Sequence, residues 1–343
     1  MIRRRDLLVG AAALPFASVF GRIARAGLPA TTAGHRLVVV FANGGWDVTF
    51  TLDPKLGEPE IEGPDVDEDP ANPEDREAIR VFSGIPIAVN PVKRPAVTAF
   101  FDRWAPRSVV VNGLWVGAIA HDPCRWRMLT GAASSSGPDL TAITGAELGV
   151  DLPLGALDTS GDGLSGSLAA SVGTVGARGQ LELLLDPAAT PPPPAGAPPR
   201  VGFVPTEAEA ALIARYTAER ADAHRAAWGP AGTATFDALA EATTRAERLV
   251  GSRAALIDGL ELGVEPTLGG LIDTTVAMLS DRQCQAVLLD SGFTWDTHEG
   301  NASQHGYWNG LFTQLSRLAA ALDRAALLDD TLVVVVSEMT RTP

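Results

Sequence analysis

The stretch that decides the fold is Leu37-Val38-Val39-Val40-Phe41, which runs into Asn43-Gly44-Gly45. A continuous apolar run rich in β-branched residues predicts a strand that is buried on both faces, and the glycines after it predict a tight turn. Strands of this kind are typical of parallel sheets that helices cover on both sides. The sequence therefore predicts an α/β fold.

Three further apolar runs repeat this pattern, at residues 108–111, 286–289 and 331–336. A helix is predicted before the last run, because leucines recur there at helical spacing, and Asp329-Asp330 then predicts a turn. Strand, helix, short turn and strand form a βαβ crossover, which joins parallel strands. We therefore expect a mainly parallel sheet flanked by helices. The leucines are Leu311, Leu315, Leu318 and Leu322.

The first 26 residues have the composition of an export signal. Arg4-Arg5-Asp6-Leu7-Leu8 opens an apolar run that is too short to span a bilayer, and Ala24-Arg25-Ala26 offers a small-x-small cleavage site. The paired arginines indicate the twin-arginine route, with its translocase as a transient partner. The alternative is an amphipathic or membrane-anchored amino terminus. On the first interpretation, residues 27–343 form a periplasmic or extracellular mature protein.

Charge and composition narrow the function classes. The 343-residue chain is 46% hydrophobic, enough for the core of a large α/β domain, and its net charge is −14. Loss of the signal, with a net charge of +4, would make that about −18. Such a surface repels nucleic acid and anionic lipid, so we expect neither as a partner. No later segment has the ~18 uncharged apolar residues of a membrane-spanning helix, so we expect no stable membrane insertion after cleavage.

Two insertions separate the predicted strands. Residues 58–77 are acidic and proline-rich, and their clustered oxygen ligands would suit calcium, but the glycine-spaced register of an EF-hand is missing, which favours a solvated loop. The second insertion, at about residues 200–260, follows Pro191-Pro192-Pro193-Pro194 and is predicted to be helical. The capping box Thr206-Glu207-Ala208-Glu209 opens it.

Two cysteines, Cys124 and Cys284, are too few for a disulfide framework in a chain of this length. They could form a single bridge after export, because the destination is oxidising. The alternative is two separate buried thiols, which behave as small apolar side chains. The sequence leaves both arrangements open.

The candidate metal ligands follow predicted strands. Ligands of open α/β sheets bind at the carboxyl ends of the strands, where side chains from distant segments converge. Carboxylates and imidazoles in that position suit a divalent ion such as zinc, manganese or calcium. The candidates are Asp47, Asp296, His298 and Glu338.

Each candidate also has a plain structural interpretation. Asp47 could instead cap a helix or a turn. Asp296 and His298 could support a loop through hydrogen bonds. Glu338 could simply meet water at the end of its strand. A further candidate is His121-Asp122-Pro123-Cys124-Arg125, which follows a predicted strand and a glycine-containing turn and would face the same rim.

At these positions the sequence resembles the bacterial domain-of-unknown-function family numbered 1501, which is placed in the alkaline-phosphatase-like superfamily. The matching stretches are the leader, residues 39–47, the His121 segment, residues 293–298 and residues 331–343. The resemblance implies an alkaline-phosphatase-like fold in which divalent metals at the strand ends serve the hydrolysis or transfer of phosphate or sulfate esters. It implies ligand roles for the four candidates above. It also makes His121, Arg125 and Arg341 catalytic candidates.

The sequence departs from the family's pattern in two places. Sulfatases carry Cys-x-Pro-Ser-Arg before Leu-Thr-Gly, with the cysteine as nucleophile, and alignment on Leu129-Thr130-Gly131 puts His121 in the nucleophile position and Cys124 in the serine position. His121 is then a metal ligand, a general acid or base, a phosphate-accepting nucleophile, or the mark of a site that has lost catalysis. Family members also continue to a Gly-Thr-Asp-His-Gly motif, so a sequence ending at Pro343 implies a truncated chain with an incomplete ligand shell.

These features favour an exported, metal-dependent hydrolase-like protein that acts on phosphate or sulfate esters, including esters carried on glycans. The alternative is a non-catalytic binding or assembly protein of the cell envelope that keeps the same scaffold, and His121 in place of a nucleophile favours it. The catalytic interpretation requires the four metal-ligand candidates to point into one shared hollow.

Overall fold

The computed structural model describes residues 34–61, 63–64, 71–175, 206–260, 267–298 and 300–340. Two units divide the chain, residues 1–35 and 36–343, and every element below belongs to the second. The predicted export signal, the centre of the acidic insertion, the polyproline run and Arg341 lie outside the described residues. Among the described helices, none combines the length and the apolar composition that a bilayer crossing requires.

A five-stranded parallel sheet forms the centre of this second unit. The strands in chain order are β1 (Arg36–Ala42), β2 (Ala78–Phe82), β3 (Ile85–Val89), β4 (Ala156–Asp158), β5 (Val172–Thr174), β6 (Ala286–Asp290) and β7 (Thr331–Ser337). β2 and β3 form a separate antiparallel hairpin. The other five have the order β5-β4-β6-β1-β7, and all neighbouring strands run parallel. The predicted α/β fold with a mainly parallel sheet is confirmed.

β1 owes its apolar sequence to its central position. It pairs with β6 on one side and β7 on the other, so that Val39 lies opposite both Leu288 and Val334. Val38 and Val40 pack into one hydrophobic core, whereas neighbouring residues of the strand pack into a second core on the other face. Because both faces are covered, the strand has no polar alternation.

Helices cover the sheet and include the one predicted before the last strand. The described helices are α1 (Pro95–Trp104), α2 (His121–Thr130), α3 (Leu140–Leu148), α4 (Glu207–Leu260), α5 (Leu268–Ser280) and α6 (Gln304–Arg324). α6 buries the four leucines of the predicted apolar stripe, and a 3-10 turn at Leu328–Asp330 leads into β7. Phe312 of α6 packs against Phe100 and Phe101 of α1, with ring centres 5.0 and 5.2 Å apart.

Residues 108–111 were predicted to form a strand, and this prediction is wrong. The segment pairs with none of the described strands, and the side chains of Val109 and Val111 are 86% and 75% exposed. An apolar run becomes a strand only where a neighbouring strand supplies hydrogen-bond partners, and periodicity does not encode that neighbour. The sheet is completed instead by β4 and β5, which have three residues each.

The helical insertion opens with the predicted capping box. The backbone N–H and the hydroxyl of Thr206 both donate to Glu209 Oε2, at 2.8 and 2.7 Å. α4 then continues to Leu260 with a single non-helical residue, Gly229, at φ +64°. The helix lies within residues 200–260, the segment that the sequence predicts to be helical.

The two cysteines are separate. Cys124 lies in α2 and Cys284 lies just before β6, and both are buried and free. Burial raises the pKa of both thiols, for Cys284 to about 12. Of the two arrangements that the sequence left open, the structure contains two separate buried thiols.

A buried ion pair ties the hairpin region to α6. Arg94 and Glu77 pair with side chains that are both fully buried. The Arg94 guanidinium also contacts Nδ1 of His305, whose ring packs edge-on against Phe50 with ring centres 4.8 Å apart. Burial, together with the charge of Arg94, lowers the pKa of His305 to about 4. His305 is therefore neutral at pH 7.

This shift predicts a pH dependence of stability. An unfolded histidine takes up a proton near pH 6.5, whereas native His305 stays neutral down to about pH 4. The contribution of neutral His305 to the free energy of unfolding is fully present above pH 6.5 and is lost as the pH falls toward 4. In urea denaturation series between pH 4 and 7, His305→Gln should lose less stability than the unmodified protein. Equal losses for the two proteins would contradict this assignment.

Candidate metal centre

Side chains from three separate segments meet near the carboxyl ends of the parallel strands. Asp296 and His298 lie in the loop after β6, and Glu338 directly follows β7. His121 is the first residue of α2. Since β1, β6 and β7 are adjacent and parallel, their carboxyl ends lie at one edge of the sheet.

Three of these side chains come close enough to share one ion. Nε2 of His121 lies 3.5 Å from Oδ2 of Asp296, and Nε2 of His298 lies 2.9 Å from Oδ1 of the same carboxylate. One possible ligand atom from each residue lies within 4.8 Å of the other two. The side chains of His121, Asp296 and His298 are 45%, 32% and 74% exposed, so the group opens to solvent.

Glu338 contacts this group through His121. Its side chain is completely buried, and its Oε1 accepts a hydrogen bond from the Gly44 N–H at 3.1 Å and contacts Nδ1 of His121. An ionised Glu338 only accepts hydrogen bonds, so with that carboxylate the contact favours the tautomer that carries its proton on Nδ1, while Nε2 of His121 faces Asp296. Burial raises the pKa of Glu338, and the contact with His121 opposes that shift.

Asp47 has a different environment. It caps the 3-10 turn Val48–Phe50, and its Oδ1 accepts from the backbone N–H and the hydroxyl of Thr49 at 3.0 and 2.6 Å. Its Oδ2 accepts from the Asn301 amide at 2.7 Å. The structure thus contains the capping arrangement that the sequence offered as the alternative for Asp47. Its carboxylate is not part of the His121, Asp296 and His298 group.

Arg125, the catalytic candidate on α2, is held by two carboxylates. Its guanidinium donates to Asp162 Oδ1 at 2.6 Å and to Asp122 Oδ1 at 2.8 Å. Asp162 in turn accepts from the Asn43 side-chain amide at 3.1 Å. The charge of Arg125 is therefore balanced locally rather than directed at the metal-ligand candidates.

A cleft of about 430 Å³ opens beside the group. Two of its lining residues, His121 and Asp296, belong to the group, and Gly44 connects the cleft to Glu338. Asp290, the last residue of β6, also lines it, and burial followed by the charge of Asp162 raises the pKa of Asp290. The remaining lining residues are Asn43, Gly292, Phe293 and Thr294.

The donor set and its spacing fit a divalent metal. Two imidazoles and one carboxylate are the protein ligands of many catalytic zinc sites, which keep an open position for water or substrate. A tetrahedral zinc ion with bonds of about 2.0–2.1 Å holds its ligand atoms roughly 3.4 Å apart. In the structure, one Asp296 oxygen lies 2.9 Å from Nε2 of His298 and the other lies 3.5 Å from Nε2 of His121, and one ligand atom from each residue lies within 4.8 Å of the other two. Glu338 Oε2, buried without a hydrogen-bond partner among the described residues, adds an unsatisfied negative group beside the set.

The carboxyl-terminal part of the chain provides the comparison with known families. Residues 274–343 match the family described as "Protein of unknown function (DUF1501)". Over these 70 of its 343 residues the chain is similar to the DUF1501 family. The DUF1501 match includes Asp296, His298 and Glu338, whereas Asp47 and His121 precede it. Comparisons with curated proteins and with solved structures gave no match.

Sequence reasoning found four residues of this site but missed the connection between two of them. The contact between His121 and Glu338 joins positions that are 217 residues apart, and no spacing in the sequence signals it. Sequence reasoning also missed Asp290, which directly follows the predicted apolar strand at residues 286–289. The rule that ligands bind at the carboxyl ends of parallel strands could have identified Asp290.

Proposed function

We propose that this protein is a metal-dependent hydrolase of phosphate or sulfate esters. The observation that carries the proposal is the group formed by His121, Asp296 and His298, whose ligand atoms lie within 4.8 Å of one another beside an open cleft. Two nitrogen ligands and one carboxylate favour zinc or manganese over calcium, which prefers oxygen ligands. A divalent ion bound there would polarise the ester and stabilise the charge that develops on its oxygens.

The residues around the ligands have separate roles in this proposal. Glu338 fixes the tautomer and orientation of His121, as an outer carboxylate does for metal-bound histidines. Gly44 fixes Glu338 through its N–H. In hydrolysis, a water molecule from the open cleft adds to phosphorus or sulfur, the bond to the ester oxygen breaks, and the leaving alcohol takes up a proton.

Although the sequence around His121 is similar to that of sulfatases, this proposal includes no nucleophile from the protein. Cys124, which stands where sulfatases have a serine, is completely buried, and burial raises the pKa of its thiol. His121 contacts Glu338 through Nδ1 and faces Asp296 through Nε2. We therefore propose direct attack by water rather than a covalent intermediate on the protein.

Export belongs to the same proposal. The paired arginines and apolar run of residues 1–26 support passage through the twin-arginine translocase to the periplasm or beyond. The resemblance to the alkaline-phosphatase-like superfamily supports the ester chemistry.

Metal-loaded protein should hydrolyse some members of a panel of aryl phosphates and aryl sulfates, and removal of metal by a chelator should abolish turnover. Asp296→Asn should lose this activity, whereas Asp273→Asn should keep it, because Asp273 forms a surface ion pair with Arg317. Turnover that persists after complete metal removal would contradict the proposal.

If metal binds without turnover, a second function is favoured, that of a non-catalytic protein for binding or assembly in the cell envelope. The observation that favours it is His121 itself, which stands in the sequence where the resemblance to sulfatases implies a nucleophile. Metal content measured together with turnover on the same sample separates the two functions.

A further inference from the structure

The cleft beside the metal-ligand candidates offers hydrogen-bond acceptors. Asp290 Oδ1 accepts from the Gly292 N–H at 2.5 Å, and its second carboxylate oxygen has no hydrogen bond among the described residues. The Asn43 side-chain N–H donates to Asp162, which leaves the amide oxygen of Asn43 to accept. The hydroxyl of Thr294, an exposed residue, can accept as well. A ligand in this cleft should therefore bring donors.

The charged residues of the cleft also favour a ligand that is positively charged. Asp290 and Asp296 line the cleft, and none of the lysines or arginines that the structure describes does. Arg125 is paired with Asp122 and with Asp162, which accepts from the cleft residue Asn43. Burial raises the pKa of Asp290, and the charge of Asp162 raises it further. A cation bound against Asp290 would relieve both effects.

Glu338 independently indicates that this region would bind a positively charged group. Its side chain is completely buried, and its Oε2 has no hydrogen-bond partner among the described residues. It contacts Gly44 and His121, both of which line the cleft. One divalent ion at His121, Asp296 and His298 leaves Asp290 without a positive partner. Asp290 is therefore available to bind a second positive group.

We propose that the substrate carries a protonated amine and that Asp290 binds this ammonium group while the ester lies at the metal-ligand candidates. This inference rests on the proposed function and narrows its substrate class to phosphate or sulfate esters of amino alcohols or amino sugars. Asp290 is then a specificity-determining residue. The ammonium donates to the free oxygen of Asp290, with Asn43 and Thr294 as the further acceptors.

A pair of substrates that differ only in the ammonium group tests this inference. In O-phosphoethanolamine and propyl phosphate the leaving chains have the same length, and a methyl group replaces the ammonium. For the zinc-loaded protein, kcat/KM should be at least about tenfold higher for O-phosphoethanolamine, because a charged hydrogen bond in a partly desolvated site adds that much. Asp290→Asn should bring the two values within about twofold, whereas Asp273→Asn should retain the difference.

Calorimetric titration of the same two compounds supplies a readout that does not depend on turnover. Tighter binding of O-phosphoethanolamine without hydrolysis would support the role of Asp290 and overturn the proposed hydrolysis. Hydrolysis of both compounds without preference would overturn the role of Asp290 and leave the hydrolysis standing. Neither binding nor hydrolysis of either compound would overturn both. A preference that survives in Asp290→Asn would also overturn the role of Asp290.

Discussion

Asp296→Asn is expected to weaken zinc binding about 100-fold or more without unfolding the protein. Asp296 is the only carboxylate of the three-residue group, and its two oxygens lie against His121 and His298. Loss of a residue that only hydrogen-bonds a metal ligand lowers the affinity for the metal by about 10–100-fold. Loss of the ligand that also balances the charge of the ion should cost at least as much.

The measurement is a competition titration of metal-free protein against a chromophoric zinc chelator, with circular dichroism as the check on folding. Asp273→Asn, which removes a carboxylate from a surface ion pair, is the matched control and should bind zinc like the unmodified protein. The unmodified protein should bind one ion per chain in this affinity range. An unchanged dissociation constant in Asp296→Asn would contradict the assignment of the centre.

Gly44→Ala is expected to destabilise the protein by about 2–5 kcal/mol and to weaken zinc binding at the same time. Gly44 has φ +113°, and a Cβ there would lie 2.4 Å from the Asp296 backbone nitrogen and 3.0 Å from the Trp295 carbonyl carbon. Both contacts are with backbone, which cannot rotate away as a flexible side chain can. Relief of the clash must therefore move the loop that carries Asp296.

Gly57→Ala is the matched control. Gly57 also has a positive φ, +79°, but a Cβ there meets nothing within 4 Å, so only the conformational cost of about 1 kcal/mol remains. Chemical denaturation of the three proteins gives the free energies of unfolding. Equal losses for Gly44→Ala and Gly57→Ala would show that the close approach of the β1 turn to the Asp296 loop has no energetic weight.

The central strands could be predicted because burial on both faces shows directly in the sequence. β1, β6 and β7 coincide with the three apolar runs that gave correct predictions, and the leucine stripe of α6 gave the helix before β7. Residues 108–111 have the same apolar composition and did not become a strand. β4 and β5, with three residues each, are too short to leave a periodic pattern.

The candidate site was predicted in part for a related reason. A residue after a buried parallel strand must lie at the carboxyl edge of the sheet, so Asp296 and Glu338 could be placed there from sequence order. Which carboxylate faces an imidazole, and which one caps a turn, depends on side-chain directions. Asp47 follows the end of β1 by five residues, much as Asp296 follows the end of β6 by six, yet Asp47 binds Thr49 and Asn301.

The sequence by itself determined a parallel α/β sheet with polar residues at its carboxyl edge, because apolar runs and the residues that end them are local features of the chain. Only the tertiary structure decided that His121 meets both Glu338 and Asp296 and that Asp290 lines the adjoining cleft. Those contacts join α2, β6 and β7 across more than 100 residues of chain. Their geometry follows from how the helices and strands pack, which local composition does not encode.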